Sequence, residues 1–102
     1  MKYVHYSPDA EVFAVNSMEN FEIPKGENIG IIAYDNYKDT VGDNTFYSAG
    51  MSPNEYAARL FFLLRKADED GIKTVYAQLP ENCGMGTAIR NRLLKSAGGR
   101  VI

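Results

Sequence analysis

The chain has 102 residues and a mass of 11.4 kDa, with 45% apolar and 24% charged residues. That is enough for one domain with a modest core, and too apolar for wholesale disorder. Lys plus Arg number 11 against 13 Asp plus Glu, a formal net charge of −2, which excludes the basic excess of a bulk electrostatic nucleic-acid binder. A single cysteine makes no internal disulfide, and the longest apolar runs, near Ile29–Tyr34 and Leu60–Leu64, are far too short to span a bilayer. The first residues hold no apolar stretch, so no signal peptide is expected and the reading is a cytoplasmic domain without a membrane partner.

The opening residues, up to Asp9, mix polar and aromatic side chains and run into Pro8. They read as an extended arm, because the residue before a proline avoids the helical region. Glu11–Asn16 is a short strand through Val12, Phe13, Ala14 and Val15. Ser17–Glu27, broken by Pro24 and Gly26, reads as a connection with at most one helical turn. The near-continuous apolar order of Ile29, Ile31, Ile32 and Ala33 predicts a strand covered on both faces, as in parallel sheets. A polar stretch with a turn at Gly42-Asp43-Asn44 leads to a third strand at Thr45–Ser48.

The clearest helix is predicted from Pro53 to about Asp70. Ser52 is the N-cap, Pro53 the first helical residue, and Glu55 completes a Ser-x-x-Glu capping box. Ala57, Leu60, Phe61, Leu64 and Ala67 form its apolar face, and Gly71 supplies the left-handed residue after it. A strand is expected over Lys73–Leu79 and a second helix from about Gly86 to Ala97, with Ile89, Leu93 and Ala97 at four-residue spacing and Leu94 alongside. Arg100-Val101-Ile102 reads as a last short strand. The alternation of strand and helix in the second half implies β-α-β crossovers and parallel pairing. The fold class is therefore α/β: a mostly parallel open sheet of about five short strands with flanking helices.

Few residues offer local catalytic chemistry. His5 and Cys83 form a nucleophile–base pair only if the fold joins them; otherwise Cys83 is a small residue in a turn. Asp68-Glu69-Asp70 reads as a solvated helix end. Gly84-Met85-Gly86 lies between a predicted strand and a predicted helix, where a doubly wound fold binds phosphate. Gly84, Gly86 and Thr87 are thus a candidate anion-binding turn. The third glycine of the dinucleotide fingerprint is replaced by Ile89, and tight strand-to-helix packing explains the same glycines. Charge is uneven: residues 1–81 carry seven basic and thirteen acidic side chains, while residues 82–102 carry Arg90, Arg92, Lys95 and Arg100 and no acid. A solvated helix face accounts for those cations better than RNA contact, for want of a stacking aromatic. No metal site is expected. Tyr3, His5 and Tyr6, beside Lys2 and before Pro8, are the unusual cluster, suited to stacking on a base or holding an anion, or else to packing on the domain's own surface.

Lys2-Tyr3-Val4-His5-Tyr6-Ser7-Pro8 resembles the Lys-Tyr-x-His-Tyr-Ala/Ser-Pro linker of threonylcarbamoyl-AMP synthases of the two-domain type. Tyr56-Ala57-Ala58-Arg59-Leu60-Phe61, with Leu64-Arg65-Lys66-Ala67-Asp68, resembles a helix of the same family, and Gly84 to Leu93 resembles its Gly-x-Gly segment. The ending from Lys95 to Ile102 is similar as well. The resemblance implies residues 1–9 as an interdomain linker arm and residues 10–102 as a C-terminal Rossmann-like domain of three layers. It also implies an activity for the whole enzyme: threonine, bicarbonate and ATP, with Mg2+, give threonylcarbamoyl-AMP and pyrophosphate, the first step towards tRNA threonylcarbamoyladenosine. Catalysis belongs there to a YrdC-like domain, which nothing in these 102 residues resembles. The chain is then an accessory or regulatory domain, inactive alone, with that catalytic domain as partner in the same chain or in trans, no cofactor of its own and no direct tRNA contact. By the same resemblance Lys2, Tyr3, His5, Tyr6 and Pro8 help to enclose substrate or adenylate. Two departures stand out: the family's helix between the first two strands is reduced to the Ser17–Glu27 link, and Arg90 stands where Met is common and reads as peripheral. The alternatives are a stand-alone small-ligand or nucleotide-binding module built on the Gly84–Thr87 turn, and a structural or oligomer-forming domain.

Overall fold

The computed structural model describes residues 8–24, 26–42 and 44–102. Four strands form one parallel sheet among them: β1 (Glu11–Val15), β2 (Ile29–Ala33), β3 (Thr45–Ser48) and β4 (Thr74–Gln78), in the spatial order β1-β4-β2-β3. Two helices, α1 (Pro53–Glu69) and α2 (Met85–Ser96), follow β3 and β4 respectively, and a 3-10 helix at Asp35–Thr40 joins β2 to β3. The predicted elements recur with ends shifted by one residue at most, except at the chain's close. Arg100–Ile102 makes a single parallel bridge, Val101 to Ala14, rather than a strand, so the sheet has four strands and not five. The start of a ladder is there: Arg100 and Ile102 carbonyls accept from the Ala14 and Asn16 amides, and Ile102 N–H donates to Ala14. Three residues are too few to extend it.

Strand alternation sorts the side chains into two layers of unequal kind. Val12, Ala14, Ile32, Tyr47, Val75 and Ala77 face the helices and pack against Tyr56, Leu60, Leu63, Leu64, Ile89 and Leu93. Val15, Ile29, Ile31 and Ala33 face the other way, under Met18 and Val41, with Phe21, Ile23 and Tyr37 around them. The helices thus share one face, where they pack on each other. The opposite face is covered by the irregular segment after β1 and by the 3-10 helix, so the third layer is not helical. Pro24 and Gly26 explain why: the link has no uninterrupted stretch long enough for a helix. Met18, Phe21 and Ile23 supply the apolar cover that the missing helix would have given.

The α1 cap forms as its sequence requires, with one variation. Ser52 Oγ accepts from Glu55 N–H at 3.3 Å, while Glu55 Oε1 accepts from Met51 N–H at 2.9 Å, one residue before the N-cap. Arg59 binds the end of β3, donating to Ser48 O at 3.3 Å and Ser48 Oγ at 3.2 Å. At the other end of α1, Tyr47 Oη donates to Asp70 Oδ2 at 2.7 Å and Lys66 sits 3.3 Å from Oδ1, which together hold the Asp70 carboxyl below its usual range.

Tyr56 is fully buried, and its hydroxyl donates to Gln78 O at 2.6 Å. Burial, chiefly, raises its pKa far above 10.0, and burial followed by the Asp70 contact does the same for Tyr47. A phenol whose folded pKa is raised contributes stability that is whole below its unfolded value and fades above it. The midpoint of urea unfolding is therefore expected to fall once pH passes 10.0, and Tyr56→Phe should flatten that fall. The variant should also cost about 1–3 kcal/mol at neutral pH, by leaving the Gln78 carbonyl without its donor.

Candidate functional site

In parallel α/β sheets ligands sit beyond the carboxyl ends of strands whose connections leave in opposite directions. Here that place lies beside β4. The connections after β1 and β2 cross the face without helices, and the connection after β4 enters α2 on the other. A cleft of about 560 Å³ opens there. β1 runs into its wall at Asn16–Glu19, β2 contributes Tyr34 and, from the 3-10 helix, Tyr37, and β4 runs on through Gln78–Glu81 to Cys83. Pro53, the first residue of α1, closes one side.

Gln78 organises the floor. Its side-chain Oε1 accepts from Tyr34 N–H at 3.0 Å and its carbonyl accepts from Tyr56 Oη, so one residue of β4 fixes both the end of β2 and α1. The Tyr34 ring lies edge-on to Tyr56, 5.5 Å between centroids. Tyr34 Oη is shut off from solvent and has no hydrogen-bond partner among the described residues. Its pKa is raised, first by burial and then by the Glu81 carboxylate. Cys83 is exposed at the rim, its Sγ 3.9 Å from Glu81 Oε2. His5, its candidate partner in the sequence, lies outside the described residues.

Arg90 is not peripheral. Its Nη1 donates to Pro80 O at 2.9 Å and pins the loop that carries Glu81. Arg100 is likewise used inside the domain, donating to Val12 O at 3.2 Å and standing 5.0 Å over the Phe13 ring. The basic end of the sequence is thus only partly a solvated face, with Arg92 and Lys95 exposed on α2.

The candidate turn has a steric basis of its own. A Cβ on Gly86 would stand 2.0 Å from Glu81 O, so only glycine lets α2 come this close to the loop after β4. Gly84, with φ 56° and ψ −132°, occupies a region closed to side-chain-bearing residues. Gly86 N–H donates to Cys83 O at 3.0 Å, Thr87 N–H to Gly84 O at 3.2 Å, and Thr87 Oγ1 bonds Asn82 Oδ1 at 2.9 Å. Ile89, in place of the third glycine, is fully buried in the core.

Lys2, Tyr3, His5 and Tyr6 lie outside the described residues, but the root of the arm is fixed. After the half-buried Pro8, the N–H groups of Asp9 and Ala10 donate to the two carboxylate oxygens of Asp68 at 3.1 and 3.2 Å. The acidic run at the end of α1 is therefore a fastening point and not merely a solvated helix end. This root lies at the amino edge of the sheet and the cleft at the carboxyl edge. Sequence reading missed Tyr34, Tyr37, Gln78 and Glu81, and it took Asp68 only as part of a solvated helix end. The first four are detectable only once Ala33 and Gln78 are recognised as the carboxyl ends of neighbouring parallel strands; Asp68 has no local signal. Among the described residues no group of three or more His, Cys, Asp or Glu side chains could hold a metal ion, and no helix is long and apolar enough to cross a membrane.

Gly86→Ala is expected to destabilise the chain by about 2–4 kcal/mol, since the added methyl meets backbone that cannot yield without moving α2; urea unfolding measures it. Asp68→Ala should cost about 1–3 kcal/mol and selectively speed hydrogen exchange at the Asp9 and Ala10 amides, which lose their acceptors.

Comparison with known proteins agrees from end to end. Residues 1–98 match the family described as threonylcarbamoyl-AMP synthase, C-terminal domain. The threonylcarbamoyl-AMP synthase of Pyrococcus abyssi is 34% identical over the whole chain, which covers 32% of that enzyme. The crystal structure of P. abyssi Sua5 complexed with L-threonine superposes with a TM-score of 0.72 at 31% identity, over 100% of this chain and 32% of that one. The C-terminal Sua5 domain of Pyrococcus horikoshii superposes with a TM-score of 0.66 at 27% identity, over 94% of this chain and 98% of that one. The chain spans about a third of the length of the curated relatives it matches, and it belongs to the family of threonylcarbamoyl-AMP synthase C-terminal domains.

Proposed function

We propose that this chain serves as the accessory, non-catalytic domain of a cytoplasmic threonylcarbamoyl-AMP synthase, acting on a YrdC-like catalytic domain through its arm. The reaction served would be the condensation of threonine, bicarbonate and ATP, with Mg2+, to threonylcarbamoyl-AMP and pyrophosphate, for tRNA modification. The match over residues 1–98, arm included, carries this reading. In it Tyr3, His5 and Tyr6 lie against substrate or adenylate, while Lys2 and Pro8 set the path of the segment. The Asp68 bonds to Asp9 and Ala10 support it, because an arm that acts on a neighbouring domain needs a fixed root.

The test is pyrophosphate release from ATP, threonine and bicarbonate with Mg2+. The chain alone is expected to release none. Added to, or fused behind, a YrdC-like domain stripped of its own C-terminal region, it should change the rate of release. Replacing Tyr3, His5 and Tyr6 together by alanine should abolish that change. Turnover by the chain alone, or a catalytic domain indifferent to it, would overturn the reading.

A further inference from the structure

We propose that the cleft at the carboxyl ends of β1, β2 and β4 is a binding site for a small organic cation, an ammonium or guanidinium group carried on an apolar or planar body. Its place is the one where open α/β sheets bind ligands, and about 560 Å³ is the size of a pocket for a metabolite-sized molecule. The charge of its lining selects the sign. Glu19 and Glu81 both line the cleft, and among the described residues no Lys, Arg or His does. The neighbouring guanidinium of Arg90 is turned to Pro80 O and keeps its charge, which leaves the two carboxylates in excess by one. Two solvent-exposed carboxylates at one cleft attract a cation and repel phosphate or carboxylate, over the short range that salt leaves them. The Tyr34 and Tyr37 rings offer faces on which a cation or a flat body can lie.

The third observation is the Oη atom of the half-buried Tyr34, shut off from solvent and without a hydrogen-bond partner among the described residues. A hydroxyl left so costs stability that a phenylalanine would not. The fold has no need of it, since Tyr34 is already held by its main-chain bond to Gln78 Oε1 and by its ring contact with Tyr56. An orphaned polar atom beneath a charged cleft is the kind of local cost that proteins carry at functional sites. A ligand that enters the cleft and displaces the cover of Tyr34 Oη would supply the partner, with Glu81 beside it to meet the charge.

The probes are 2-phenylethylamine and agmatine, with 3-phenylpropionate as the anionic counterpart of the first, followed by 1H–15N NMR on the whole chain. Saturable shifts are expected with the amines alone, at the amides of Asn16–Glu19 and of Gln78–Cys83. Glu81→Gln, an exposed change, should weaken amine binding about fivefold, and Glu69→Gln, at the opposite edge of the sheet, should leave it unchanged. Tyr34→Phe should raise the melting temperature of the free chain and at the same time weaken the amines. No saturable response to either amine up to about 10 mM would overturn the proposal. So would an equal response to 3-phenylpropionate, an equal loss with Glu69→Gln, or a stabilised Tyr34→Phe chain that binds unchanged.

Discussion

A parallel sheet must be covered on both faces, and among the described residues the α-helices of this chain cover only one. β2 states the demand: all five of its residues are buried. The helical face is met in the usual way, by α1 and α2 packed side by side. The other is met by Met18, Phe21 and Ile23 from an irregular segment, and by Tyr37 and Val41 from the 3-10 helix and its end. Because these covers are short, they reach across the strands but leave the region beyond the carboxyl ends open. The cleft, with Glu19 and Tyr37 in its wall, follows from building the second layer from loop and 3-10 helix rather than α-helix.

Gln78 shows how closely the two halves depend on one another. It is the last residue of β4, which like β2 pairs on both sides, and it bonds the main chain of Tyr34 and the hydroxyl of Tyr56 at once. The loop beyond it is held by Arg90 and crowded by Gly86, both on one face of α2, and the missing side chain of Gly86 sets how close the helix comes. Floor and rim are thus fixed by main-chain contacts, while the side chains that face the cleft are left to meet something else.

The elements were legible in the sequence wherever the signal was local. Ser52, Pro53 and Glu55 mark the start of α1, and the run Ile29–Ala33 marks a strand buried on both faces. Local signals failed where pairing is long-range or the partner is backbone. Val101 meets Ala14 across 87 positions, and the shortness of that contact cannot be read from Arg100-Val101-Ile102. Tyr56 and Leu63 belong to the core although the expected apolar face of α1 ran through Ala57 and Phe61; for Tyr56 the reason is the Gln78 carbonyl and the Tyr34 ring on the sheet, which side-chain spacing does not show. The acceptors of Arg90 and Arg100 are main-chain carbonyls, which leave no trace in side-chain spacing. Gly84 and Gly86 were legible as a turn, but the Glu81 carbonyl that demands Gly86 was not. The family likeness reached the arm motif by pattern alone, whereas Asp68's bonds to the root needed coordinates.

Helix α1 touches both ends of the molecule. Its first residue, Pro53, lines the cleft, and its penultimate residue, Asp68, holds the root of the arm. Seventeen residues make a rod of about 25 Å, seated on the sheet through Tyr56, Leu60, Leu64 and Ala67. A rod of that length tilted by about 5° around its middle carries each end about 1 Å, in opposite directions. Pro53 at the cleft and Asp68 at the arm root are therefore the two ends of one lever, and a tilt of α1 that moves one moves the other.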